Sequence, residues 1–287
     1  MFSSRAKVTH LWSLSVLCFT LLIGAPASAW QAAEPPGQDK VEPGQEHQHM
    51  GGMHMNFPMG EETCGPKYTY EAGPQGPDHW PSVCSTGKMQ SPINIVSPEK
   101  LPISSLLTFN YQPADLDVIN NCNQYRILVR FPANKWVRIR KRPYFLSELH
   151  FRVPGENAVN GKRPRMSVQL AHLSPEAEVT MVEVPVIAGK ENPAMKVILE
   201  HIPAPGKESK VQGVKINPAD FLPADSKAFY RVPGSLTAPI CNEGVTWYVM
   251  KNPIEFSEAQ IQAYIKYYNN TARPLQPANG RPMADSQ

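Results

Sequence analysis

The chain has 287 residues, 28 basic against 25 acidic side chains, a formal net charge of +3, and 30 prolines. A balance so close to neutral excludes the strongly basic class that holds nucleic acid through its bulk field, so no nucleic-acid partner is expected. The length suits one large all-β domain preceded by processing and linker segments.

Residues 1–29 have the layout of a secretory signal. Arg5 and Lys7 make a positive start, Leu14 to Gly24 is a short apolar run, and Ala27-Ser28-Ala29 is a small-residue cleavage site. The alternative is a membrane anchor, but a span needs about 18 or more apolar residues and this run is shorter. The implied location is periplasmic or secreted, with no membrane span once the signal is removed. Arg5 and Lys7 leave with it and no acid does, so the charge falls from +3 to +1.

Residues 30–63 are rich in Pro, Gln, Glu and Gly without apolar periodicity. They cannot bury enough surface to fold alone and read as a disordered linker. Within them His47, His49, Met50, Met53, His54, Met55 and Met59 form a dense cluster. Imidazole and thioether donors together suit copper, and imidazole alone suits zinc or nickel. Their spacing defines no fixed polyhedron, so a metal-handling role stands beside simple compositional bias.

The domain proper spans 64–287. Its cysteines are Cys64, Cys84, Cys122 and Cys241, since Cys18 leaves with the signal. An even number in an oxidising compartment predicts two disulfides, with three pairings open. Strands are predicted at Tyr125–Phe131, Lys135–Lys141, Tyr144–Val153, Ser167–Leu173, Val179–Ile187, Met195–Ile202 and Thr246–Met250, several alternating with period two. Turns fall at Pro132-Ala133-Asn134, Asn160-Gly161-Lys162 and Gly189 to Pro193. Ser257 with Gln260 forms a capping box, and Ile261, Tyr264, Ile265 and Tyr268 then repeat at helical spacing. After Thr271, Pro274, Pro277 and Pro282 predict an extended edge or coil. Arg130, Lys135, Arg138, Arg140, Lys141 and Arg142 crowd one stretch, which reads as a solvated hairpin face or as an anion-binding surface.

Several motifs occur in one order: Gly76-Pro77-Asp78-His79-Trp80, Gln90 to Ile95, Asn120-Asn121, Leu149-His150-Phe151, Asn160-Gly161-Lys162, Gly234-Ser235-Leu236-Thr237, Glu243 to Trp247 and Ala272 to Pro277. Each is weak alone. Together, from about Tyr70 to Met283, they resemble the alpha-class carbonic anhydrases. The resemblance implies a mainly β fold, a twisted and largely antiparallel central sheet with a conical cleft and few short helices. It implies a Cys84–Cys241 disulfide, which would leave Cys64 and Cys122 to pair with each other or to remain as thiols.

The same family resemblance implies zinc-hydroxide attack on carbon dioxide, with three imidazoles holding the metal and a fourth position left for water. His150 matches the first ligand, but Arg152 and Gln169 stand at the other two. Ser167 replaces the glutamate that orients the third histidine. A guanidinium has no lone pair to give a metal and is repelled by a dication. Other departures lie at Asn123, where the proton-shuttle histidine is expected, at Ala238, and at Met181 and Ala171 in the pocket. Glu156, Thr237, Leu236 and Trp247 match the family, Glu156 and Thr237 as its hydrogen-bonding gate pair. His172 faces away from Gln169 and reads as structural. The expectation is an acatalytic carbonic anhydrase-related protein serving as a binding or structural module for an unknown protein partner or a small anion. The alternative is a zinc carbonic anhydrase with an unusual ligand set. Arg152 either plugs the metal hole by pairing with Glu156 and Gln169, or forks onto a carboxylate or bicarbonate.

Overall fold

Alternation of apolar and polar side chains along paired strands builds the body of the molecule. The computed structural model describes residues 64–103 and 106–286. Residues 1–29, expected to be a signal, and residues 30–63, expected to be a linker with its His/Met cluster, lie outside them. Among the described residues the main sheet has thirteen strands. Its middle runs, in spatial order, Glu208–Ile216, Ala114–Asn121, Arg126–Arg130, Arg142–Arg152, Met166–Leu173, Val179–Ala188, Glu243–Met250 and Phe229–Ser235. These pairs are antiparallel except Val179–Ala188 with Glu243–Met250, which is parallel.

Both faces of this sheet are covered. Leu149, Phe151, Val168, Leu170, Val182 and Val184 point into the larger apolar core on one face. That core is closed by helix Glu258–Ile265, whose capping box forms as predicted and whose Tyr264 stacks edge-on against Phe151. Burying one such side chain stabilises the fold by about 1.5–3 kcal/mol. On the opposite face a smaller cluster of Ile93, Ala171, Met181, Val245 and Trp247 walls the cleft. No helix among the described residues is long and apolar enough to cross a membrane.

The structure corrects one predicted strand. Met195–Ile202 lies largely within a helix, Pro193–Glu200. Asn192 caps it by accepting from the Met195 N–H at 2.9 Å, and Pro193 occupies its first turn. The buried Met195 and Ile198 are three apart, which is helical spacing. Three long strands escaped the sequence reading: Ala114–Asn121, Glu208–Ile216 and Phe229–Ser235. The first two carry outward charges, and the third contains Pro233 and Gly234, so none shows a clean apolar run. The C-terminal tail is coil, as its prolines predict, and ends in a short strand, Ala284–Asp285, paired on one side with Phe229–Ser235 and on the other with Glu99–Lys100.

Two disulfides join Cys84 to Cys241 and Cys64 to Cys122, with Cα–Cα distances of 5.0 and 5.6 Å. The basic stretch is mostly spoken for. Arg130 pairs with Asp117 and Glu208, Arg142 with Glu176 and Glu178, and Arg138 lies over the Trp136 ring. Lys135 is buried, and its Nζ donates to Asn134.

Candidate functional site

Period-two alternation puts Glu148, His150 and Arg152 on the cleft side of their strand while Leu149 and Phe151 enter the core. A bulge between Leu146 and Glu148 sets this register. Pairing then brings His150 beside Gln169 and Arg152 beside Ser167, and one strand further Gln169 beside Glu183. The result is a small cavity of about 70 Å³ at the bottom of the cleft. Met181, Leu236, Ala238 and Trp247 form part of its wall, and Arg126, Glu148, His150, Arg152 and Gln169 are among its polar lining.

The polar groups of this floor form one connected hydrogen-bond chain. The Thr237 hydroxyl and the Gln169 amide both donate to Glu156 Oε2, at 2.7 and 2.8 Å. Since Gln169 gives its NH₂ to a carboxylate, its Oε1 must face His150, 2.9 Å from Nε2. His150 therefore carries its proton on Nε2. Its Nδ1 then accepts from Arg126 Nη1 at 3.1 Å, and the same guanidinium nitrogen pairs with Glu148 Oε1 at 2.5 Å. Burial is the main cause that lowers His150 to a pKa of about 4, with the Arg126 charge adding to it. Glu148 is lowered to about 2: burial opposes its ionisation, and the Arg126 charge is the largest of the causes that outweigh that penalty. Both observations fit a neutral ring beside an Arg126–Glu148 ion pair.

Arg152 is buried, and groups of the protein itself surround it. Its Nη1 donates to the Thr271 carbonyl at 3.3 Å, its Nε stands 3.8 Å from Glu156 Oε2, and its guanidinium covers the Tyr70 ring at 5.3 Å. Its Nε is left without a hydrogen bond. A desolvated cation over an aromatic face is worth about 2 kcal/mol, and Tyr70 packs in turn on Tyr68, Trp80 and Tyr125. Burial opposes the charge, but Tyr70 and Glu156 favour it, and Arg152 stays protonated well above its ordinary range.

The residues expected at this site separate into two groups. His150, Arg152, Gln169, Met181, Leu236, Thr237, Ala238 and Trp247 come together around the cavity. Glu156 lies just beneath, held also by the Arg273 N–H, while its own N–H donates to Glu183 at 3.0 Å. Asn123 does not line the floor; its side chain accepts from the Gly65 N–H at 3.0 Å, and Gln124 reaches the cavity instead. His172 points to the other face, 2.6 Å from the Tyr111 hydroxyl. Arg126, Glu148 and Tyr70 were missed. Glu148 was within reach of the alternation rule, two positions before His150. Arg126 and Tyr70 arrive from other segments, and no local pattern marks them.

A mainly β protein with a cleft on one face of its sheet, a polar floor and an apolar wall is the class that fold and site define. The family model described as eukaryotic-type carbonic anhydrase matches residues 75–287. The chain belongs to that family, the alpha-class carbonic anhydrases. A carbonic anhydrase of Nostoc is 32% identical over 220 residues, covering 73% of this chain and 82% of the relative. The solved alpha-carbonic anhydrase of Photobacterium profundum superposes with a TM-score of 0.70 at 31% identity, over 76% of this chain and 99% of its own. A solved dioscorin complexed with ascorbate superposes with a TM-score of 0.68 at 29% identity, over 76% of this chain and 97% of its own.

Proposed function

We propose that this protein is a periplasmic or secreted, non-catalytic member of its family, a binding or structural module whose cleft floor is closed by its own side chains. One observation carries the reading: the chain of hydrogen bonds from Arg126 through His150 and Gln169 to Glu156. A tetrahedral zinc site asks for three protein lone pairs aimed at one point. Here His150 Nε2 holds a proton and spends it on Gln169, and Arg152 has no lone pair to offer. Among the described residues no three His, Cys, Asp or Glu side chains are grouped to hold a metal. The donor set does not fit zinc.

The contacts of Arg152 with Thr271, Tyr70 and Glu156 favour the plug reading over the anion fork, although Gln169, expected as its second partner, bonds to His150 and Glu156 instead. Glu156 and Thr237 keep their mutual hydrogen bond, which here serves to fix Gln169. The two disulfides fit an oxidising compartment.

The relatives named carbonic anhydrase favour the second reading, an active zinc enzyme. Metal analysis of the purified chain beside a carbon dioxide hydration assay separates the two. The expected result is far less than one zinc per chain and hydration at the uncatalysed rate. Near-stoichiometric zinc with inhibitable hydration would sink the proposal. The double variant Arg152→His with Gln169→His is expected to gain zinc binding, measured by calorimetry, because it adds imidazoles two positions after His150 and directly across from it on the adjacent strand.

A further inference from the structure

The basic stretch leaves one question that the cleft does not absorb, namely what Arg140 does. It sits in the two-residue turn between Ile139 and Arg142, which pair across the hairpin. Its φ is 59°, a left-handed conformation that favours glycine or asparagine at such a turn. From there it lines a cavity of about 190 Å³ on the face of the sheet opposite the cleft, together with Arg142 and Arg231.

Sheet register explains how the polar groups gather. Thr180 pairs with Thr246 in the parallel ladder, and Arg231 pairs with Tyr248 in the antiparallel one. All four line the cavity, and Tyr144 completes it from the neighbouring hairpin. Three guanidiniums, two phenols and two hydroxyls thus surround one space. Arg142 is neutralised by Glu176 and Glu178. Among the described residues no ion pair involves Arg140 or Arg231; against the three guanidiniums stand Glu176 and Glu178, the latter also accepting from the Tyr144 hydroxyl at 2.8 Å, so one positive charge is left in surplus there. Burial raises the Tyr248 phenol above its ordinary pKa, and Arg231 and Arg140 oppose that rise, so their field reaches the cavity.

We infer that this rear cavity is a binding site for a tetrahedral oxyanion of the phosphate or sulfate class, held by Arg140 and Arg231 and oriented by the flanking hydroxyls. Guanidiniums match such oxygens in paired hydrogen bonds, which an isolated ammonium does not. The site is independent of whatever the cleft does.

Titration calorimetry of the full chain with inorganic phosphate, against chloride at matched ionic strength, tests it. One phosphate per chain is expected, with Arg140→Gln and Arg231→Gln each weakening binding about tenfold or more. Lys141→Gln removes the same charge from the same turn, but Lys141 does not line the cavity, and it is expected to change affinity less than twofold. Glycerol 3-phosphate as competitor distinguishes the sources: displacement assigns phosphate esters as ligands, and failure to displace assigns the free anion. No phosphate binding, or equal losses for Lys141→Gln and Arg140→Gln, would overturn the site in favour of diffuse charge. Arg140 and Lys141 are exposed turn residues, so that comparison stands even if Arg231→Gln fails to fold.

Discussion

Arg152 brings a permanent charge into the floor of the cleft, and the surrounding residues determine what that charge can do. A carbonyl, an aromatic face and a carboxylate offset its desolvation. The proton on His150 Nε2 follows from the same network, because Glu156 fixes the Gln169 amide and that amide fixes the ring. Histidine also governs the acid limb of stability. Burial lowers His172 to a pKa of about 3, with Tyr111 the only side chain among the described residues hydrogen-bonded to it. A histidine with a depressed folded pKa stabilises the fold above its unfolded value near 6.5, and that contribution is lost as pH falls toward 3. Between pH 6.5 and 5, ahead of most carboxylates, each neutral buried histidine adds about 1.4 kcal/mol of stability loss per pH unit. Urea unfolding of the parent and of His172→Gln across that window should show a shallower slope in the variant. Equal slopes would mean that His172 is protonated in the fold.

At the scale of elements, alternation and capping do most of the positioning. The strand Arg142–Arg152 delivers Glu148, His150 and Arg152 to one face because its side chains point to opposite sides in turn. That much was legible in the sequence, and so were the helix after Ser257 and the turn of His172 to the face opposite the cleft. The helix Pro193–Glu200 was misread because Met195, Val197 and Leu199 also alternate, and the Asn192-Pro193 start signal was taken only as a turn. Asn192→Ala removes the cap on Met195 N–H and should cost about 1 kcal/mol in thermal or urea unfolding. A change of a few tenths at most would show that packing of Met195 and Ile198 holds the helix without its cap.

Across the whole molecule, covalent links tie the N-terminal segment to the cleft walls. Cys64 bonds to Cys122, just past the strand Ala114–Asn121, and Cys84 bonds to Cys241, just past Thr237. The first closes a loop of 58 residues, so replacing both of its cysteines by serine should lower unfolding stability by about 2–4 kcal/mol through chain entropy. Unchanged stability in non-reducing urea titrations would argue that the segment near Cys64 is already fixed by the Tyr68–Tyr70–Trp80 cluster. The two arginine sites, cleft floor and rear cavity, lie on opposite faces of one sheet. Alternation therefore separates them even where their strands are shared.

The amino-acid order alone determined the family, the β class, the altered positions 152 and 169, and the face to which His150 points. These depend on motif identity and on a two-residue period, both of which are local. Only the tertiary structure decided which nitrogen of His150 carries the proton, that Arg126 joins it, and that Arg140 and Arg231 line one cavity. These juxtapositions join segments 19 to more than 90 residues apart in the chain. Their pairing depends on strand register and shared burial, which no local pattern encodes.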